Sequence, residues 1–438
     1  MADGASAEPS LICPYAPSKE TVYRENHPQS AAFWLRSVVM RFLHTSDWHL
    51  GRRFHTEDLI SAQGAFLDYL ADTARTEDVD AILVAGDIYD RAIPSLDAVR
   101  LFNRALHQLA DLDVPIIMIS GNHDSAHRLG VGSGLLARAG IHLRTDPGTC
   151  DVPVLLEDAD GPVAVYGIPY LEPSMVRDRL EAEAVSHRAV LTAALDRIHA
   201  DLTNNQPAGT RSVVLAHAFV TSGTGQPEER DESEEADSER EIAVGGVAHV
   251  GADVFHGIDY VALGHLHGPQ RVTDRIHYSG SPLAYSFSEA RHTKSITLVD
   301  LTPGAVPALT RQPCPVPLRL ERVTGFMEDL LTNPAHEPLK DAWLEVTLTD
   351  TALPFDAMAR LRRRFPHTAS LKHRPALIPA QATNTPTYSE RIRGRDDLDI
   401  TSDFINSMRG TGPTPDEHNL LQQAVEASRL NEQQKETV

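Results

Sequence analysis

The sequence predicts a layered α/β domain over residues 40–310, followed by a smaller α+β module and a helical tail. Two observations carry the first part. Short apolar runs (VVMRFL, DAILVA, VPIIMIS, PVAVYGI, SVVLAHA, YVALG and SITLVDL) are spaced along the chain like buried strands. Between them lie stretches such as 58–75 and 95–111, with apolar residues at three- and four-residue spacing, as in an amphipathic helix. A third observation marks the boundary. After the proline-rich PGAVPALTRQPCPVP at 303–317, the pattern restarts.

Taken in order, residues 1–39 are polar, carry several prolines and show no clear periodicity. They read either as a disordered extension or as codons upstream of a true initiator at Met40, and the second reading is preferred. Met40 opens MRFLHTSDWHLG, an apolar strand running straight into polar residues. Residues 222–241, rich in Gly, Ser, Glu and Asp, read as a mobile surface loop. In the 318–380 module, WLEVTLT alternates like a half-buried strand, DAMARLRRRF is an amphipathic helix and TASLKHR is another strand. Residues 381–438 complete the chain. A linker spans 375–396, and helices are expected around 398–409 and 415–432. The second helix gathers Leu420, Leu421, Ala424, Val425, Ala427 and Leu430 largely on one face.

The 438 residues suggest two or three domains, and 41% hydrophobic with 23% charged residues is globular composition. No run of about 18 apolar residues occurs, so no membrane span is expected. No secretory signal is recognisable. Three scattered cysteines, Cys13, Cys150 and Cys314, give no sign of a disulfide framework or a zinc cluster and suit a reducing cytoplasm. The net charge of −21 argues against a stand-alone DNA clamp, because affinity for DNA rests on neutralising phosphates. Part of that charge is local, since EERDESEEADSERE at 228–241 holds nine acidic residues against two arginines. A catalytic subunit with bound cations and a DNA-binding partner is compatible with it.

Five segments share one grammar, an apolar strand ending in an Asp, Asn or His cluster. RFLHTSDWH supplies Asp47 and His49. AILVAGDIYDR supplies Asp87, Asp90 and Arg91. IIMISGNHD supplies Asn122 and His123, VVLAHAF supplies His217, and YVALGHLH supplies His265 and His267. In α/β folds, functional groups gather beyond the carboxyl ends of strands, so segments scattered along the chain can converge. Asp47/His49 and His265/His267 are i, i+2 pairs, which in extended backbone project to the same side. Imidazole, carboxylate and amide donors without thiolate suit manganese, iron or zinc rather than calcium. Gly86, Gly121 and Gly264, each just before a candidate ligand, permit tight turns and close backbone approach. A lone His after a strand is more often structural, and His44, His55, His127, His256 and His277 are read that way.

The ordered series DxH, GDxxD, GNH, H and GHxH resembles the calcineurin-like metallophosphoesterase superfamily. The resemblance implies a four-layer β-sandwich flanked by helices, holding two divalent metals. It places Asp47, His49, Asp87 and His267 on one metal and Asp87, Asn122, His217 and His265 on the other. His123 then acts as a catalytic group outside the metals, with Asp90 orienting its ring. HTSDWHLG, GNHDS, VALGHLHGPQ and YSGSPLAYSFSE further resemble the SbcD family, nuclease subunits of bacterial SbcC–SbcD repair and recombination complexes. That resemblance implies manganese-dependent 3′–5′ exonuclease and endonuclease action on DNA. It also implies a capping domain at 318–380 and tail helices that bind an SbcC-type ATPase, in a homodimer within a heterotetramer. ATP would be used by the partner, since GxxxxGK[ST] is absent here.

Arg52 and Arg53 follow the first motif and, with Arg91, are candidate substrate contacts. Arg360, Arg362, Arg363 and Arg364 form a dense basic cluster that is either a phosphate contact or a solvated helix face. Two other readings stay open: a phosphatase or phosphodiesterase with a non-DNA substrate, and a mainly scaffolding subunit.

Overall fold

The computed structural model describes residues 39–222, 249–375, 395–409 and 411–435. The 1–39 extension, the acidic loop and the linker expected at 375–396 lie almost wholly outside the described residues. The strands, in chain order, are β1 (Met40–Thr45), β2 (Arg53–Phe54), β3 (Glu57–Asp58), β4 (Ala81–Ala85), β5 (Ile116–Ile119), β6 (Ile141–Arg144), β7 (Val154–Asp158), β8 (Gly161–Ile168), β9 (Arg211–His217) and β10 (Val220–Thr221). They continue with β11 (Val250–Gly251), β12 (Tyr260–Gly264), β13 (Gln270–Arg271), β14 (Ile276–Tyr278), β15 (Ser295–Leu301), β16 (Ala308–Pro313), β17 (Arg319–Gly325), β18 (Ala342–Leu348) and β19 (Thr368–His373).

Two six-stranded sheets form the large domain, in the orders β16-β15-β1-β4-β5-β6 and β13-β14-β12-β9-β8-β7. Strands β1, β4, β5 and β6 run parallel, as do β14, β12, β9 and β8. The central strands β4, β5 and β12 are apolar on both faces because both faces are covered, whereas the outer strand β6 alternates Ile141 and Leu143 with half-buried His142 and Arg144. Phe42, Leu83, Ile117 and Ile119 of one sheet meet Val165, Val213, Leu215 and Ala262 of the other in a core between the sheets. On the outer face of the first sheet, Leu43, Ile82, Val84 and Met118 pack with Phe66, Leu67, Leu70, Leu101 and Phe102. On the outer face of the second, Tyr166, Val214, Ala216 and Val261 pack with Val190, Leu191, Leu195 and Ile198. The result is a helix–sheet–sheet–helix layering, the four-layer sandwich that the family resemblance implies.

The covering helices follow from local chemistry. In Leu96–Ala110 the buried residues Ala98, Leu101, Phe102, Ala105 and Leu109 fall on one stripe, and Ser95 caps the helix by accepting the Ala98 N–H. Ser186 caps His187–Asn204 in the same way, through the Ala189 N–H. Helix Ile60–Thr76 packs its Phe66, Leu67 and Leu70 under β1 and β4.

After β16 the chain forms a three-stranded parallel sheet, β17-β18-β19, with helices Met327–Thr332 and Ala357–Arg364 between its strands. It has its own core of Leu330, Leu344, Val346, Leu348, Leu361 and Phe365. Leu320, Trp343 and Ala369 of this module pack against Phe54, Leu59, Leu283, Tyr285 and Phe287 of the large domain. Helices Asp397–Arg409 and Pro415–Lys435 follow, joined by the Arg409–Glu417 ion pair at 2.7 Å. Among the described residues, no helix is long and apolar enough to cross a membrane.

Candidate metal centre

The five polar clusters follow the carboxyl ends of β1, β4, β5, β9 and β12, and the fold brings them together. The loops after β1 and β4 are laced by main-chain bonds. Asp47 N–H donates to Gly86 O at 3.0 Å, His49 N–H to Asp87 O at 2.9 Å and Leu50 N–H to Ile88 O at 2.9 Å. This lacing changes the backbone from what the i, i+2 spacing suggests. Asp47 (φ 54°), His49 (φ 45°), Asp87 (φ 50°) and His265 (φ 111°) all have positive φ. Asp47, His49 and His265 lie past the strand ends, so it is backbone with positive φ, not extended alternation, that aims their side chains. A non-glycine residue held there costs on the order of 1 kcal/mol, and such residues cluster at functional sites.

One half of the site contains Asp47, His49 and His267. Their donor atoms lie within 4.8 Å of one another, and His49 Nε2 and His267 Nε2 face each other at 3.1 Å. His267 Nδ1 lies 3.1 Å from the Glu289 carboxylate. Carboxylates only accept, so Nδ1 carries a proton, and in the neutral ring Nε2 is the nitrogen with the lone pair. Tyr285 backs both rings, with centroids 5.4 Å from His49 and 5.7 Å from His267. His49, Asp90 and His123 form an adjoining group. There the structure refines the expected contact. The atom of Asp90 that meets the His123 ring is its backbone oxygen, 2.9 Å from Nδ1. The Asp90 carboxylate points instead to Arg52 (3.3 Å) and to the buried, unpartnered Nδ1 of His49 (3.8 Å).

The other half contains Asp87, Asn122, His217 and His265. His217 Nδ1 donates to Ala85 O at 2.9 Å, which leaves Nε2 facing Asn122 Oδ1 at 2.9 Å and Asp87 Oδ2 at 3.4 Å. His265 Nδ1 lies 3.1 Å from Asn122 Oδ1 and 3.3 Å from His217 Nε2. Asp47, Asp87 and His217 also fall within one 4.8 Å group, so carboxylates of both halves adjoin. Two glycines make the approach possible. A Cβ on Gly121 would sit 2.1 Å from Asp87 Oδ1, and one on Gly86, at φ 93°, would sit 2.4 Å from His217 Nδ1.

These residues fit a divalent cation site. Imidazole lone pairs converge with two buried carboxylates and an amide oxygen, and no thiolate is present. Burial opposes the charge on Asp87, yet His217 and His49 hold its carboxyl well below the usual range. Burial likewise pulls His217 down, but Asp87 and Asp47 raise it to about 9. His265 is pushed down to about 3 by burial and by His217. Burial is the largest influence on Asp47 and raises its carboxyl above the usual range, a cost that a bound cation would offset.

Several residues here escape motif reading. Glu289, Tyr285 and Lys294 lie in or just after YSGSPLAYSFSE, where the family likeness assigned no individual role. Asp124, the last residue of GNHD, accepts from Gly121, Ile88 and Tyr89 N–H groups at 2.9–3.0 Å and so ties two site loops together. Of the candidate arginines, Arg52 reaches the site edge, with its guanidinium 5.2 Å from the Tyr285 ring centre. Arg91 contacts Asp90 at 3.5 Å with its side chain 82% exposed. Arg53 turns away to Thr56 O in its own hairpin. In the basic helix, Arg364 donates to Leu330 O and Asn333 O, and Arg362 to Thr368 O. Two of the four arginines are thereby tied to the main chain of the module rather than offered to a ligand. His44 is structural as expected: it is buried, with Tyr260 OH at 2.9 Å and Leu263 O at 3.2 Å.

The layered α/β sandwich and the donor cluster at its strand ends fit the class of metal-dependent phosphoester hydrolases, and the family match below assigns the chain to that class. The family model for calcineurin-like phosphoesterases matches residues 40–269, just over half of the chain, and the chain belongs to that family. A second model, SbcD_C, described as the type 5 capsule protein repressor C-terminal domain, matches residues 316–409. Solved structures similar to this chain include TT1561 of Thermus thermophilus, at 15% identity over 63% of this chain and 99% of the other, with a TM-score of 0.36. A dimetal phosphatase from Danio rerio is also similar, at 15% identity over 63% of this chain and 96% of the other, with a TM-score of 0.38.

Proposed function

We propose that the chain is the nuclease subunit of a DNA repair and recombination complex, hydrolysing DNA phosphodiesters with two divalent ions, manganese by family likeness. The observation that carries this reading is the pairing of a phosphoesterase domain with an SbcD_C match in one chain. In this reading residues 40–310 are the nuclease domain and 318–380 the cap. The helices after residue 397 form the surface for an SbcC-type ATPase. Phe404 and Leu420, 61% and 65% exposed on those helices, are apolar groups suited to a partner.

Asp47, His49, Asp87 and His267 would hold one ion, and Asp87, Asn122, His217 and His265 the other. Bound there, the pair would polarise a phosphodiester and supply a nucleophile near neutral pH. The chain's own residues do the rest. Asp87, held ionised by the neighbouring histidines, would supply the negative charge that fixes the cations, with Asp47 beside it as a further oxygen donor. His123 donates its Nδ1 proton to Asp90 O, so its Nε2 is the atom free to hold or deliver a proton to a departing sugar oxygen. Arg52, braced on Asp90 and Tyr285, and the exposed Arg91 stand at the rim where backbone phosphates would pass.

The test is cleavage of linear duplex and hairpin DNA by the purified chain, in manganese and in magnesium, with and without an SbcC-type ATPase and ATP. Nucleotide phosphate release is followed in parallel. DNA cutting that becomes ATP-dependent on duplex ends supports the proposal. Phosphate release from nucleotides with DNA left intact would mark a phosphatase, and metal-free protein that only binds the ATPase would mark a scaffold.

A further inference from the structure

Behind His267 lies a closed network of buried charge. Glu289 and Lys294 are 1% and 4% exposed. Glu289 Oε1 accepts from His267 Nδ1 at 3.1 Å and from Tyr285 N–H at 3.2 Å, while Oε2 pairs with Lys294. Lys294 Nζ also donates to His267 O at 2.9 Å and to Ser281 Oγ at 3.0 Å. The ammonium's three protons thus have three acceptors, and both carboxylate oxygens are engaged. Lys294 grips the main chain of the residue whose ring Glu289 grips. The carboxylate-bearing turn, Phe287–Arg291, sits beside β17 of the smaller module, where Phe287 packs in the cluster that includes Leu320 and Trp343.

We infer that Glu289 is a positioning residue for the metal centre: its carboxylate fixes the tautomer and angle of His267, with Lys294 holding that carboxylate in place. A bare core ion pair would be an expensive way to gain stability, because desolvating two charges offsets most of their attraction. A carboxylate behind a metal-facing imidazole raises ligand basicity and locks the ring, and its loss typically weakens metal affinity about 10–100-fold. The inference rests on the metal-centre reading, with Nε2 of His267 as the ligand atom.

The experiment is calorimetric titration of the metal-free full-length chain with manganese chloride, for wild type, Glu289→Asp and the double variant Glu289→Gln/Lys294→Met. Aspartate keeps a charge for Lys294 but draws the carboxylate back by one methylene. The double variant removes both charges, leaving no unpaired ion to unfold the core. Melting temperatures are read alongside. The inference expects one of two manganese sites to weaken about 10–100-fold in both variants, with the other site and the double variant's melting temperature little changed. Wild-type affinity at both sites in either folded variant overturns it and assigns the pair a purely structural role. Failure of the wild-type chain to bind manganese overturns the underlying metal-centre reading instead.

Discussion

The main-chain N–H of His265 lies 3.0 Å from Oδ1 of Asp47, 218 residues earlier in the chain. Asp47 belongs to the loop after β1 of one sheet and His265 to the loop after β12 of the other. The bond is therefore a seam between the two halves of the sandwich, made by a side chain that also faces the cation site. Asp47→Ala is expected to open this seam as well as remove a ligand. In the metal-free protein, amide hydrogen exchange at His265 should quicken by at least an order of magnitude, since its N–H loses a buried acceptor. Unchanged protection would show that the seam does not hold in solution.

Gly121→Ala tests the close approach that builds the second half-site. The added methyl would lie 2.1 Å from Asp87 Oδ1 and 2.4 Å from Asp87 N, so Asp87 or the GNHD loop must shift. The expected outcome is loss of bound metal and a lower melting temperature. A variant with wild-type metal content would mean that this loop is compliant.

His123→Ala separates chemistry from metal binding. The ring is anchored on Asp90 O and its centroid is 4.7 Å from that of His49, beside the candidate ligands. Metal content should stay at the wild-type value while turnover of a phosphodiester substrate falls about 10²–10⁴-fold, the usual worth of a general acid. An unaltered rate would remove His123 from the mechanism.

His44 gives the fold a specific acid sensitivity. Burial, with His277 nearby, lowers it from 6.5 to about 3. A folded-state pKa below the unfolded one means the neutral ring is favoured by folding. Its contribution is fully present above pH 6.5 and is lost as pH falls towards 3. Between those limits, the stability of the wild type should fall more steeply with acid than that of His44→Phe, by about one proton's worth of slope. Chemical denaturation at a series of pH values measures the difference, and equal slopes would refute the assignment.

Much of the layering was legible because β4, β5 and β12 are buried on both faces and read as unbroken apolar runs, and β1 and β9 carry apolar runs at their centres. The candidate ligands were legible for the same reason, since each stands where such a run stops. Backbone conformation was not. The spacing of Asp47 and His49 suggested extended alternation, whereas main-chain bonds to Gly86 and Asp87 turn both residues left-handed. Those bonds join segments about 40 residues apart and leave no local periodicity. Glu289 and Lys294 were illegible as a pair because their meaning lies in a contact with His267, 22 residues from Glu289. Arg362 and Arg364 looked like free charge in the sequence, but their main-chain partners are set by the packing of the smaller module.

The proposed centre takes two cations, with Asp87 serving both. Elemental analysis of the full-length protein, after equilibration with manganese and removal of free ion, counts them, with Asp87→Asn measured beside the wild type. Two manganese ions per chain in the wild type, falling below one in the folded Asp87 variant, is the expected result. A wild-type chain that retains one ion or none, or an Asp87 variant that retains two, would rule out a shared two-cation centre.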